Sequence, residues 1–308
     1  MPATAIHRQR IPVLKGLFAF LAAAFLSLHE LPAQRDWDQV QITAEQVTDS
    51  LYVLFGAGGN IGLALGDDYA YIIDDQFAEL TGKILETVSG ITDKPVRFVV
   101  NTHWHGDHVG GNENLANQGA ILVAHENVRK RMGMRVDRGE RGVSEPAPYA
   151  ALSRITFNDE LTLHLSPRRS MHLMHVDPAH TDGDTYIYFP GENAIHMGDN
   201  FVNGYPYIDQ SSGGDIDGLL RNLNMALFIV DDDTRIIPGH GPVMGRPELL
   251  EFRDMVATIR NRVRAARNSG KSLEEVQAMN LTAEWDASKG QGFIGPARIV
   301  QFAYETAD

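Results

Sequence analysis

The sequence predicts an α/β protein of four layers, with helices outside two facing sheets. Three observations predict it. Apolar runs of strand length are split by turn residues, helical spacing appears between them, and strands followed by strand–helix alternation occur twice along the chain. No internal repeat and no low-complexity segment interrupts this pattern. The 308 residues are 43% hydrophobic and 22% charged, an ordinary globular balance. A chain of this length buries roughly three-quarters of the surface it exposes when unfolded, which is enough for one large domain.

Residues 1–33 read apart from that fold. His7, Arg8, Arg10 and Lys15 precede the apolar run Gly16–Leu28, and Leu31-Pro32-Ala33 follows. A basic start, a short apolar run and a small residue at its end make a secretory signal peptide, cleaved near Ala33. The run falls short of the ~20 residues of a membrane span; an uncleaved N-terminal anchor is the alternative reading, and no Cys follows to carry a lipid. The expectation is an exported protein, periplasmic or secreted, without stable membrane insertion after cleavage. One domain would cover 34–308, its last part, about 246–308, being helical.

Leu51–Ala57, Ile61–Leu65 and Tyr69–Asp74 are strand-like runs separated by turn residues, an antiparallel meander. Gly56-Ala57-Gly58-Gly59-Asn60-Ile61-Gly62 invites comparison with a dinucleotide loop. It fails, because the third glycine is misplaced and a strand follows where a helix is needed. Apolar residues at 77, 80, 84 and 88 give Phe77–Val88 one helical face. Val96–Val100 reads as a buried strand, then come a loop entering a helix from Gly106, a strand at Ala120–Ala124 and a helix at Glu126–Met134. Arg135–Pro148 is rich in Gly, Pro and charge, hence a loop. Strand-like runs return at Arg154–Phe157, Leu161–Leu165, Met171–Val176, Tyr186–Phe189, Ala194–Met197 and Arg235–Ile237. Asp217–Val230 is helical, Pro247–Arg267 is a long helix with Pro in its first turn, and Ser272-Leu273-Glu274-Glu275 is a capping box.

The chemistry concentrates in Asn101-Thr102-His103-Trp104-His105-Gly106-Asp107-His108, directly after a strand-like run. Only 12 of the 308 residues are His, so three in six positions mark a site. Side chains alternate in extended chain, so His103 and His105 point the same way. After the turn at Gly106, Asp107 and His108 face a point further on, giving room for two adjacent cations. Later His and Asp residues also fall where strands end: His180 in Asp177–Asp184, Asp199 after Ala194–Met197, and His240 after Arg235–Ile237. His125, His164, His172, His175 and His196 read as structural or surface histidines. The absence of Cys leaves no disulfide and no thiolate ligand. The net charge of −13 argues against a nucleic-acid partner, and Arg260, Arg262, Arg264 and Arg267 lie among apolar residues at helical spacing, as a solvated helix face does.

His103-x-His105-x-Asp107-His108, with the segments around His180, Asp199 and His240 in that order, resembles the metallo-β-lactamase superfamily over residues ~35–245. The resemblance implies the αβ/βα sandwich of that fold and two Zn²⁺ ions per chain. His103, His105 and His180 would hold one, Asp107, His108 and His240 the other, and Asp199 would bridge or complete the pair. A Glu usually stands at the His105 position in diiron relatives, which favours zinc; iron and manganese stay open. Two such ions would share a water and yield a hydroxide nucleophile, which Asp107 could orient. Asp74, Thr102 and Thr181 are candidate acceptors behind the metal-bound imidazoles. Phe55 and Asn60, on the glycine-rich hairpin, and Tyr205 and Tyr207, after Asp199, are candidate substrate contacts.

The substrate is less defined. Common dizinc β-lactamases carry Cys where Asp199 stands and a Lys three residues later, where this chain has Val202. Asp199 resembles the thioesterases, lactonases and phosphodiesterases of the superfamily. The expected activity is therefore hydrolysis of a small cyclic amide, lactone or ester, possible β-lactams included. Thioester or phosphodiester hydrolysis, or metal binding without catalysis, are the alternatives, and the sequence leaves the oligomeric state open.

Overall fold

Apolar residues alternate along most strands so that both faces are buried, and this builds a layered sandwich. The computed structural model describes Met1 and residues 35–137 and 143–307. The expected signal peptide at 1–33 lies outside the described residues apart from Met1. Trp37–Asp308 form one compact unit.

The first sheet has seven strands: β1 (Thr43–Gln46), β2 (Leu51–Phe55), β3 (Ile61–Leu65), β4 (Ala70–Ile73), β5 (Val96–Asn101), β6 (Ile121–His125) and, after the two-residue strands β7 (Val136–Asp137) and β8 (Val143–Ser144), β9 (Ile155–Phe157). β2 to β4 pair antiparallel as the predicted meander, β1 adds to it as a further antiparallel strand, and β4, β5, β6 and β9 pair parallel. The second sheet runs β10 (Glu160–His164), β11 (Ser170–His175), β12 (Thr185–Phe189), β13 (Ala194–His196) and β14 (Arg235–Ile237). It is antiparallel except for the β13–β14 pair.

Val53, Ile73, Val100 and Val123 of the first sheet pack with Leu173, Ile187 and Ile237 of the second, forming the core between the sheets. Their strand neighbours face outward. Leu54 and Ile72 meet Ile84 and Val88 of α1 (Thr81–Ser89). Val99 and Leu122 meet Leu115 of α3 (Asn112–Asn117), which follows the one-turn α2 (Gly106–Val109). On the far side Tyr186, Ile195 and Ile236 meet three helices. After α4 (Glu126–Met132) these are α5 (Ile216–Ile229), α6 (Arg246–Asn268) and, beyond α7 (Leu273–Gln277) and α8 (Ala283–Lys289), α9 (Pro296–Thr306). Helix, sheet, sheet, helix is the predicted order of layers.

Several local expectations change. β5 is buried only over its last half, since Val96, Arg97 and Phe98 lie near the edge of the core. The chain after His105 forms a helical turn at once, where a loop was expected. The 135–148 loop contains the short β7–β8 pair. The capping box at Ser272 is present, with Ser272 Oγ accepting from Glu275 N at 3.3 Å and Ser272 N donating to Glu275 Oε2 at 2.7 Å. Among the described residues no helix is long and apolar enough to cross a membrane.

Candidate metal centre

The strands β4, β5, β13 and β14 and the β11–β12 connection all deliver polar side chains to one edge of the sandwich. β5 ends at Asn101, and the bend that follows brings the rings of His103 and His105 to 4.9 Å, edge on. His180, in the β11–β12 connection, places Nε2 2.8 Å from His105 Nδ1 and its ring 4.5 Å from that of His103. Asp107 and His108 lie in α2, and His240 follows β14. His240 Nε2 is 3.4 Å from His108 Nε2 and 3.4 Å from Asp107 Oδ2. In each trio the potential ligand atoms lie within 4.8 Å of one another. Asp199 stands between them, 3.2 Å from His108, 3.6 Å from His180 and 3.5 Å from His240. The sequence-predicted seven therefore converge, as two trios about one carboxylate.

The outer ring nitrogens are engaged by the protein, which aims the inner ones. His108 Nδ1 meets Asp74 Oδ2 at 2.8 Å and His105 Nε2 meets Asp209 Oδ2 at 3.0 Å. His180 Nδ1 donates to the Tyr207 carbonyl at 2.7 Å. Thr102 Oγ1 donates to Asp74 Oδ2, so it accepts from His103 Nδ1 at 3.0 Å. This leaves His103 Nε2 as a bare lone pair, and it is buried without a hydrogen-bond partner, as is Asp199 Oδ1. Buried polar atoms are rarely left so. Two such acceptors, in an all-imidazole and carboxylate set, fit a divalent cation. Asp74, His103 and His108 also lie close enough to form a third trio. Asp74 spends its oxygens on Thr102 N, Thr102 Oγ1 and His108, however, so it is a support for ligands.

The electrostatics agree with that fit. Burial, with His108 and His180 beside it, holds His103 well below the usual imidazole range, and burial lowers His180. Both rings are thus neutral donors. Burial opposes a proton on His108 and His240, but Asp199 and Asp107 prevail, raising His108 well and His240 to about 9. Burial works against the charge of Asp107 as well, and His108 and His240 outweigh it, bringing that carboxyl down to about 2. Asp107 and Asp199, both held below the usual carboxylate range so close to these rings, demand either protons or a cation.

A sequence model of the metallo-beta-lactamase superfamily matches residues 56–240, more than half of the chain. The chain belongs to this superfamily. It is 28% identical over 203 residues to the beta-lactamase-like protein 2 homolog of Caenorhabditis elegans, covering 64% of this chain and 60% of that one. It is 30% identical over 146 residues to the hydroxyacylglutathione hydrolase of a Polaromonas species, 46% of this chain and 47% of the enzyme. The chain thus spans about half to three-fifths of these relatives' lengths. The solved structure of a stereoselective inverting sec-alkylsulfatase from Pseudomonas sp. superposes with a TM-score of 0.67 at 18% identity, over 86% of this chain and half of that one. The protein thus has the metallo-beta-lactamase fold, whose members usually bind metal ions.

Within this metallo-beta-lactamase fold, four predicted contacts have different places. Asn60 is buried and donates to the carbonyls of Pro238 and Gly241 at 2.9 and 2.7 Å, so it fixes the loop carrying His240. Phe55 is half-buried against the core between the sheets. Tyr205 is buried, and its hydroxyl donates to Asp286 at 2.7 Å, which ties the loop to α8. Thr181 does not reach an imidazole. Its hydroxyl donates to Asp184 Oδ1 at 2.5 Å, and Asp184 in turn accepts from His180 N at 2.8 Å and Asn200 at 2.8 Å. Tyr207 does stand at the site, 5.7 Å from the His105 ring and 5.6 Å from His180. His196 packs away from the centre, bonded to Asn60 O and Gly198 N, as its alternation along β13 predicts.

Asp209 and Asp184 are missed by sequence reasoning. Asp184 follows His180 by four residues, a visible signal. Asp209 lies 104 residues from the ring it holds, with no motif around it. Two glycines are also required here. A Cβ on Gly59 would fall on the His108 imidazole, and one on Gly239 would fall on Asp199 Oδ1.

Proposed function

We propose that this chain is an exported hydrolase that holds two zinc ions and cleaves a small cyclic amide, lactone or ester, β-lactams among them. One observation carries the reading: the two trios close around Asp199 and leave His103 Nε2 and Asp199 Oδ1 buried and unpartnered between them. His103, His105 and His180 would hold one ion, Asp107, His108 and His240 the other, with Asp199 shared. Iron and manganese are the other ions such donors accept. When bound, the pair supplies Lewis acidity, which acidifies water and polarises an acyl or phosphoryl oxygen.

The chain's own residues do the rest. The side chains of His103, His108 and His180 are at most 1% exposed, and water reaches the centre past His240, Asp107 and His105, whose side chains are 40%, 33% and 18% exposed. Asp107, whose negative charge His108 and His240 favour, is the carboxylate at this mouth and would orient the attacking water. Asp74 and Asp209 hold His108 and His105 by their outer nitrogens and so keep both rings oriented. The net charge of −13 favours a small-molecule substrate over nucleic acid, and the basic start and apolar run of 1–33 support export.

Likeness to a hydroxyacylglutathione hydrolase supports a second reading, thioester hydrolysis at the same centre. Metal analysis combined with a hydrolysis panel over β-lactam, lactone, thioester and phosphodiester tests both. Two zinc ions per chain are expected, with at least one lost in His103→Ala. A metal-replete sample that turned over none of the four would leave a non-catalytic metal-binding protein. Mass spectrometry of the mature N-terminus tests export, and an intact Met1 in the periplasmic fraction would contradict cleavage.

A further inference from the structure

Phe293 is a large apolar side chain that the fold leaves 91% exposed between anchored neighbours. Ile294 beside it is buried, Pro296 opens α9, and Gln291 donates to the Asp286 carbonyl at 3.0 Å. Single exposed apolar residues are common, and Phe228 on α5 is equally exposed. Phe293 differs in its company. Its ring meets Tyr207 edge on at 6.1 Å, Tyr207 is braced by the buried Phe302 at 5.5 Å, and Tyr207 lies 5.7 Å from His105. The Tyr207 carbonyl also holds His180 Nδ1, so the backbone that carries this ring is tied to the centre itself. A line of aromatic surface therefore runs from the half-open mouth of the centre outward to the strap joining α8 and α9.

Resting on the hydrolase reading above, we propose that Tyr207 and Phe293 form an apolar wall that receives the hydrocarbon part of the substrate's acyl group, so that the enzyme selects aryl or medium-chain alkyl acyl substrates over acetyl ones. The wall stands on the His105 side of the mouth, with Tyr207 5.7 Å from His105 and 6.1 Å from Phe293, so an acyl substituent directed to that side would lie along it. Covering an exposed ring with methylenes removes apolar surface from water on both partners. The ring contacts of Tyr207 with Phe302 and Phe293 hold one side of the wall in place before the tail settles.

The test compares the zinc-loaded wild type, Phe293→Ala and Phe293→Leu on methyl acetate, methyl hexanoate and methyl phenylacetate. The wild type should prefer the two larger esters in kcat/KM. Phe293→Ala should reduce that preference about tenfold, and Phe293→Leu, which restores an apolar side chain, should recover most of it. Hydrolysis by all three proteins with an unchanged preference would overturn the wall and leave the hydrolase reading standing. If no ester is turned over, calorimetric titration with acetate and hexanoate still decides. Hexanoate should bind the wild type about tenfold more tightly than Phe293→Ala, with acetate little affected, and equal hexanoate affinities would refute the proposal.

Discussion

Removing the carboxylate behind His105 isolates what a support residue contributes to the centre. Asp209 Oδ2 lies 3.0 Å from His105 Nε2, and its other bonds come from the hydroxyls of Ser211 and Ser212. These partners hold the Asp209 carboxyl below the usual carboxylate range despite its burial. Its main-chain N–H also donates to the His180 carbonyl at 3.0 Å, so one residue holds the His105 ring and the His180 backbone. In Asp209→Ala that main-chain bond survives, while the His105 ring loses its acceptor and is free to rotate. Loss of such a partner typically costs about 10- to 100-fold in metal affinity, or about 1.4 to 2.8 kcal/mol. Chelator competition followed by metal analysis should show one zinc weakened by that factor and the other held as before. Asp209→Asn, which keeps an acceptor but not the charge, should fall between. Two zinc ions bound as tightly in Asp209→Ala as in the wild type would refute the claim that this carboxylate orients His105.

The other perturbations each have one readout. Gly59→Ala pushes a methyl into the His108 ring, so it should lower bound zinc or soluble yield, and full zinc content with normal unfolding would contradict the packing. Asn60→Ala unpairs two carbonyls of the His240 loop; denaturant unfolding should show a loss of about 1 to 3 kcal/mol. Tyr205→Phe should cost about 1 kcal/mol of stability and leave KM unchanged, because the hydroxyl serves Asp286. The pH responses of apo and metal-bound protein should be opposite. In the apo chain, the raised pKa of His240, about 9, means that its pairing stabilises fully below the unfolded value of about 6.5. That contribution is lost as pH rises through about 9, so the apo melting temperature should fall over this window. Zinc must displace the same proton, so its affinity should rise over it, and pH-independent affinity would exclude His240 as a ligand.

Much of the centre was legible because its donors occur in short runs directly after strands. His103, His105, Asp107 and His108 lie within six positions, and strand ends preceding Asp199 and His240 could be read from short strand-like runs that stop at Gly198 and Pro238. Asp74 and Thr102 were legible for a related reason, since each follows a parallel strand at the same edge. Asn60, Tyr205, Thr181 and Phe55 were misplaced because closeness in sequence to a site says nothing about which way a loop side chain turns. Asn60 turned inward to satisfy carbonyls of a loop 178 residues away.

By itself the sequence determined the layer order, through alternation that buries both faces of each sheet, and the chemistry of the donors, through their spacing. Only the tertiary structure decided which acceptors stand behind the rings, that Asp209 reaches His105, and that Phe293 is held bare beside Tyr207. The physical reason is that hydrophobic periodicity is a local property of the chain. A hydrogen bond or ring contact between distant loops depends on how two separately folded edges meet.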